Sequence, residues 1–324
     1  MRRLVNKAML VFCTAPSLWP LLASAQTYPS RAIKIIVPFP PGGTVDSLPR
    51  IVGEKLSRRW AQPIVIENRA GAGGNIGAQV AATAPPDGYV LFASSPGPLT
   101  TNQFLYKKIS YDPAAFVPVS LLGVVPTVLL VRRDLPVRDL NELVSLAKSS
   151  KPPLTFASQG NGTTSHLAGI LFQKLTNAPL LHVPYSGTAA ALTALAGGQV
   201  DVLFDNATAS LALHQSGRIK MLAVAGDTRL ERAPLVPTFA QSGLKDFESH
   251  AYISLVAPPG TPSEIAAFIN SAVDEVLRDP EVKARFAEFS VIPRGGSPGD
   301  LSAWLKAETA RWKQVIQENR VTVD

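Results

Sequence analysis

The sequence predicts an α/β protein of two lobes joined by two chain crossings. Three observations carry that expectation. Short apolar runs alternate with segments of helical spacing along the chain. The chain has 324 residues, more than a single hydrophobic core ordinarily serves. Two β-rich segments, Pro126 to Arg132 and Tyr252 to Pro258, lie between two sets of alternating elements and read as the crossings.

In the first set, Ile33 to Phe39, Ile64 to Glu67 and Tyr89 to Ala93 read as strands. Leu154 to Ala157, Leu181 to Val183, Val200 to Phe204 and Ile219 to Ala225 form the second set. Ile51 to Trp60, Leu140 to Ser149, Leu167 to Leu175 and Ala189 to Ala196 space their apolar residues as helices do. Strand, crossover helix, strand implies parallel sheets covered on both faces. The C-terminal part reads as three helices, Pro262 to Arg278, Pro280 to Glu288 and Pro298 to Glu318. Proline suits the first turn of a helix, where its missing N–H costs little. The predicted lobes are therefore 26–126 with 253–324, and 127–252. A cleft between two such lobes is a usual ligand site, and paired crossings make a hinge.

Residues 1–25 have the form of a secretory leader: a basic start at Arg2, Arg3 and Lys7, an apolar stretch from Ala8 to Leu22, and Ala23-Ser24-Ala25 at the cleavage site. Cleavage after Ala25 predicts an exported chain beginning at Gln26, located in the periplasm; an uncleaved anchor is the alternative. Phe12 stands where a lipoprotein site would want a small residue, so Cys13 is not read as a lipid attachment point. The net charge of +7 falls to +4 once the three basic leader residues are gone. A surplus so small and scattered argues against nucleic acid, which favours a concentrated basic face. Cys13 is the only cysteine, so the exported chain offers no disulfide, thiol nucleophile or thiolate metal ligand.

Three loops at predicted strand ends are rich in hydrogen-bond donors: Phe39 to Asp46 (F-P-P-G-G-T-V-D), Ser158 to His166 (S-Q-G-N-G-T-T-S-H) and Tyr185 to Thr188 (Y-S-G-T). Ligands gather at such ends in α/β sheets. Each loop precedes a helix, and a helix N-terminus presents free N–H groups and partial positive charge to an anion. Thr44, Thr163 and Thr188 read equally as helix caps. Asp205, at another strand tip, is placed to accept from a ligand amine or to tie down its own loop. His166, His182, His214 and His250 show no metal-ligand spacing, and His166 reads as structural.

Two glycine motifs mislead. Gly71 to Gly77 (G-A-G-G-N-I-G) misses the dinucleotide spacing and reads as close helix packing. Gly295 to Gly299 (G-G-S-P-G) has the letters of a hydrolase elbow. However, Pro298 lacks the N–H needed after the serine and no histidine follows, so Ser297 reads as a helix cap. No cofactor or metal is expected.

The chain resembles the periplasmic substrate-binding proteins of tripartite tricarboxylate transporters, the Bug receptors. The resemblance covers nearly all of the mature sequence. It rests on V-P-F-P-P-G-G-T-V-D at 37 to 46, E-N-R-A-G-A-G-G-N-I-G at 67 to 77, P-D-G-Y at 86 to 89 and Y-D-P at 111 to 113. G-N-G-T-T-S-H-L at 160 to 167, V-P-Y-S-G at 183 to 187 and G-G-Q-V-D at 197 to 201 complete it. The resemblance implies a periplasmic-binding-protein (Venus flytrap) fold. It implies a receptor, not an enzyme, that captures a small carboxylate and hands it to transporter membrane subunits. Carried onto this sequence, it marks Phe39, Gly43, Thr44 and Asp46 in the first loop. In the second lobe it marks Asn161, Thr163, Thr164, Tyr185 and Asp205, with Ser94 and Ser95 added from a first-lobe strand end. A monomer is expected. An exported α/β enzyme acting on a small organic acid, and a receptor that signals to a membrane sensor kinase, are the alternatives.

One departure stands out. Where the family often continues as D-x-x-A-R, this chain has Asp46-Ser47-Leu48-Pro49-Arg50. Proline disrupts a helix interior. The sequence therefore predicts that the first helix begins late, capped by Asp46 or Ser47, with Pro49 in its first turn.

Overall fold

The computed structural model describes residues 28–323. The predicted leader, its cleavage site and Cys13 lie outside the described residues.

Two parallel trios of strands carry the two lobes. The first comprises β1 (Ile33–Val37), β2 (Ile64–Asn68) and β3 (Val90–Ser94), connected through α1 (Thr44–Trp60) and α2 (Asn75–Ala82). A short α3 (Asn102–Leu105) follows, then β4 (Val117–Arg132) and α4 (Leu140–Ser149). The second trio is β5 (Leu154–Ser158), β6 (Leu180–Pro184) and β7 (Val202–Asn206), connected through α5 (Thr164–Thr176) and α6 (Thr188–Ala196). Next come α7 (Ala207–Gln215), β8 (Ile219–Val224) and β9 (His250–Ala257). The chain ends with α8 (Ser263–Arg278), α9 (Pro280–Glu288), β10 (Ile292–Gly295) and α10 (Pro298–Glu318).

The strand order is β2-β1-β3-β9-β4-β7-β5-β6, with β8 and β10 also on β4. Pairing is parallel within each trio and antiparallel wherever β4 or β9 takes part. The expected all-parallel sheets are thus interrupted at their shared middle. β1 and β5 are the central strands of their trios, so the loops leaving them sit where two crossover helices diverge, the usual ligand position.

β4 explains how two lobes share one sheet. Leu121, Leu122, Val124, Val125 and Val128 to Val131 are buried, a continuous apolar run rather than an alternating one. At about 3.3 Å per residue, its 16 residues reach about 50 Å, enough to pass through both lobes. Its partner changes at one point. Pro126 pairs with His250 of β9, and Thr127 pairs with Asn206 of β7. Proline cannot donate to a ladder, so it is tolerated where the ladder changes hands. Beside it the buried hydroxyls of Thr127 and Ser249 lie 3.2 Å apart, tying the two crossings together.

The C-terminal helix bridges the lobes. Ser297 caps α10 in a reciprocal box with Asp300, as its sequence position suggests. Leu301 packs with first-lobe residues such as Phe92 and Tyr252. Trp312, Val315 and Ile316 instead enter the second-lobe core beside Leu167, Phe172 and Phe204. Residues 253–324 are therefore not confined to the first lobe. The length of α10 allows this: its 21 residues span about 30 Å, so its start and its end reach different cores.

Pro49 corrects a sequence expectation. Helix α1 begins at Thr44, not later, and carries Pro49 in its interior. Asp46 holds the start in place. Its carboxylate accepts from the Gly42 N–H, from Nε and Nη2 of Arg50, and from Nδ2 of Asn68. With the first turn clamped from both sides, the proline's missing bond leaves only the Val45 carbonyl without its usual partner. Val45 lines the cleft and is only partly buried, so that loss is bearable.

Candidate functional site

A cleft of about 500 Å³ opens between the lobes. That lies within the roughly 300–1,000 Å³ of small-molecule sites. Of the predicted residues, it gathers Phe39, Gly43, Thr44 and Asp46 from the first loop and Ser95 from the end of β3. From the loop after β5 it adds Asn161, Thr163 and Thr164. Ser94, Tyr185 and Asp205 are not on its wall. Ser94 is buried, its hydroxyl donating to the Ser95 carbonyl. Tyr185 is half-buried against the second-lobe core, its N–H bonded to the Ser158 carbonyl. Asp205 lies one layer below the surface of the cleft.

The loop after β1 approaches the cleft through backbone rather than side chains. Gly42 has φ +94°, a left-handed conformation that disfavours other residues. Gly43, at φ −81°, stands in the cap position of α1 with open space where a Cβ would be. No side chain caps α1, although the Asp46 N–H donates to the Gly43 carbonyl. Asp46 belongs to the wall only as a strut. Burial alone would raise its carboxyl, but the hydrogen bonds from Arg50, Gly42 and Asn68 together hold it below the usual carboxylate range. Asn68 also donates to the Phe39 carbonyl, fixing the loop to β2.

The opposite wall is built from three more helix starts. Thr163 caps α5, accepting from the His166 N–H, while its hydroxyl donates to the Gly160 carbonyl at 2.7 Å. Its proton is therefore engaged in the loop. Gly187 and Asn206 hold the cap positions of α6 and α7, and neither helix has a side-chain cap. Thr188 and Asn206 line the cleft there. His166 lies behind this wall, stacked on His182 with ring centres 3.9 Å apart, and accepts from the Gly162 N–H. Burial, with His182 alongside, lowers its imidazole to about 4. That is a structural role, fixing the loop.

Among the described residues, no Lys, Arg or His lines the cleft. Asp46, the one acid among the described residues on its wall, is already paired with Arg50. Positive potential comes instead from the starts of α1, α5, α6 and α7, each worth about half an elementary charge near its end. Such a site suits a small anion whose charge is met by N–H groups.

Sequence reasoning missed several wall residues. Gln159 stands in a donor-rich loop without a signal of its own, Thr188 reads from sequence as a cap yet caps nothing, and Asn206 directly follows Asp205. Leu105 and Val323 had no local signal. Val323 reaches the cleft because the segment after α10 returns to α3, its N–H bonded to the Leu105 carbonyl. The Gly71 to Gly77 segment serves packing: a Cβ on Gly77 would stand 2.9 Å from the Arg69 carbonyl oxygen and from Pro38. Among the described residues no cluster of three or more His, Asp or Glu is placed to hold a metal ion. No described helix is long and apolar enough to cross a membrane.

Two α/β lobes around a cleft walled by helix starts define a bilobed solute-binding receptor. Comparison with known proteins then gives the family. The chain belongs to the family described as Tripartite tricarboxylate transporter family receptor, whose model matches residues 48–321. Similar solved structures include an R. palustris protein with adipate, 36% identical, covering 91% of this chain and 100% of that one, with a TM-score of 0.80. MatC from Rhodopseudomonas palustris with bound malate is 34% identical, with coverages of 89% and 100% and a TM-score of 0.76. The periplasmic binding protein BugD is 32% identical, with coverages of 91% and 100% and a TM-score of 0.76. The resemblance to Bug receptors is thereby shown, with the two-lobed fold. The family and these neighbours are solute-binding receptors, not enzymes.

Proposed function

We propose that this chain is an exported receptor, mature from Gln26, that captures a small dicarboxylate and delivers it to transporter membrane subunits. The observation that carries the ligand class is the cleft without cations, walled by helix starts of which three have no side-chain cap. One carboxylate sits at the start of α1, against the Gly43 and Thr44 N–H groups. The other sits against the starts of α5, α6 and α7. Neighbours holding adipate and malate support two carboxylates. The lobes are 26–126 with 253–324, and 127–252, with α10 strapped across both. Phe39, Gly43, Thr44, Ser95, Asn161, Thr163 and Thr164 form the binding surface, and the receptor works as a monomer.

Prolines at 38, 40 and 41 stiffen the approach to the first subsite, which lowers the entropy lost on binding. Phe39 and Leu105 supply apolar wall for the carbon chain between the carboxylates. Closure about the Pro126–Thr127 and Ser249–His250 crossings brings the two anion subsites together.

The test is calorimetry on residues 26–324 with malate and adipate and with their diamides. Micromolar or tighter binding of an acid, lost in the diamide, is expected. Equal affinity for acid and diamide would show that the cleft holds no anion. Delivery is tested by ligand uptake in cells carrying the membrane subunits with and without this receptor.

A further inference from the structure

The second-lobe wall covers a carboxyl that anion capture leaves unexplained. Asp205 is the last residue but one of β7 and is 1% exposed. Its Oδ1 accepts from Gln159 Nε2. Its Oδ2 is sealed from solvent without a hydrogen-bond partner among the described residues. Gln159, Thr188 and Asn206, whose polar groups face this carboxyl, all line the cleft. A single layer of neutral groups thus separates a buried acid from the space where an anion binds.

The elements packed around Asp205 bring no cation to it. On β4, which pairs Val128 with Asp205, Arg132 lies at the far end, bound to Asp201. Lys220 on β8 donates to the carbonyls of Leu135 and Val137. His214 on α7 accepts from the Met221 N–H. His166 on α5 and His182 on β6 are stacked together, and burial holds both below the usual imidazole range. His250 on β9 is lowered to about 4, chiefly by burial. Helix α6 and strand β5 carry no charged side chain. Across the cleft, Asp46 is paired with Arg50.

We infer that the receptor takes up its dicarboxylate together with one proton, held on Asp205. The dianion binds when Asp205 is the neutral acid and is released as Asp205 ionises. The inference rests on the dicarboxylate reading above. The proton comes from solvent and no other group changes state. Burial already raises the empty receptor's Asp205 to about 7, so part of the population has lost this proton at neutral pH. An anion one layer away, with no cation to offset it, raises the carboxyl further. Affinity is then flat at low pH and falls about tenfold per pH unit above about 7, until the bound-state value is passed. As the neutral acid, Asp205 also has an O–H to give to the Thr188 oxygen.

The experiment is calorimetry of malate binding to residues 26–324 between pH 6.5 and 9, in two buffers of different protonation enthalpy. Malate is fully ionised across that range. The wild type is expected to lose affinity with rising pH and to take up approaching one proton per ligand near pH 8. Asp205→Asn is expected to bind with no proton uptake and to be at least tenfold tighter than wild type at pH 9. Carbon NMR of the wild-type Asp carboxyls needs no variant to fold: the Asp205 signal should titrate near 7 in the free protein and higher with malate. Binding without pH dependence or proton uptake would overturn the coupling and leave the dicarboxylate reading intact. Equal pH dependence in wild type and Asp205→Asn would do the same. No binding of malate or adipate at any pH would overturn both.

Discussion

One acid stands on the first-lobe wall of the cleft and one behind the second-lobe wall, and the two are treated in opposite ways. Asp46 on the first-lobe wall has both oxygens fully engaged, by a backbone N–H, a guanidinium and an amide. Asp205 behind the second-lobe wall has one oxygen engaged and one stranded. The first arrangement makes a rigid frame whose charge is fixed at any physiological pH. The second leaves a charge that depends on pH and on what lies in front of it.

Asp205→Asn gives the largest effect and separates the walls most sharply. Burial raises the folded carboxyl from 3.8 to about 7. Between those values the unfolded chain has lost this proton while the folded chain keeps it, so stability falls as pH rises. Above about 7 the folded state carries the whole penalty, at most about 4 kcal/mol. The neutral amide escapes it. Chemical denaturation at pH 8 should find the variant more stable by roughly 2–4 kcal/mol, with the advantage gone near pH 4. A variant less stable than wild type at pH 8 would mean that the ionised carboxyl is well served.

Asp46→Ala should act in the opposite direction. It frees the Gly42 N–H and strips Arg50 and Asn68 of their shared partner. Breaking a buried pair costs about 3–5 kcal/mol, and Arg50 is 46% exposed, so the loss here should be nearer 2–3 kcal/mol. The pH dependence is also reversed. A carboxyl held below its unfolded value stabilises the fold above that value and loses its contribution as pH falls through the depressed one. The wild type should therefore lose stability over the variant only in acid, below about pH 4. Equal stability of variant and wild type at pH 7 would remove the contrast between the walls.

The frame was legible where local chemistry decides it. The V-P-F-P-P-G-G-T segment announced a strand and a stiff turn, and Leu140 to Ser149 was readable to the residue because Asp139 caps it and its apolar spacing is regular. The start of α1 was not legible. Propensity put Pro49 in a first turn, whereas the bonds to Asp46 from Asn68 on β2 and from Arg50 one turn on hold a start three to four residues earlier. Nor was the first half of β4, where Gly123 and bulges at Pro118 and Leu121 obscure the strand. On the cleft wall, Thr163 could be named from sequence because helix starts are visible locally, whereas Asn161 was marked by the resemblance to Bug receptors. Val323 could not, since only the return of the C-terminus to Leu105 brings it there. Asp205 was visible as a strand tip, but its burial and its stranded oxygen belong to the packing alone.

Gly43→Val probes the first wall without disturbing its frame. Gly43 has an ordinary φ of −81° and nothing within 4 Å of a new Cβ, so folding stability should change by less than about 0.5 kcal/mol. The added methyls enter the cleft at the start of α1. Malate affinity should drop about tenfold or more, about 1.4 kcal/mol. Unchanged affinity in a folded variant would place the anion elsewhere.

Thr163→Ala is the smallest effect and tests how the second wall makes its contacts. By residue type this threonine reads as a hydroxyl donor to the ligand, and its loss would cost about 1.5–3 kcal/mol of binding. The geometry argues otherwise. The hydroxyl proton goes to the Gly160 carbonyl, and the oxygen accepts from the His166 N–H. Neither atom is left to reach into the cleft. What Thr163 supplies is a shaped loop at the start of α5. Its replacement should cost about 1 kcal/mol of stability, the usual loss of a cap. Malate binding should weaken only a few-fold, because the loop is still pinned by the Gly162 N–H on His166 and by Ser158 bonded to Gly160. Thermal unfolding and calorimetry on the same sample divide the two accounts. A loss of tenfold or more in affinity with stability unchanged would make Thr163 a direct donor. The second wall would then hold its ligand through side chains, unlike the first.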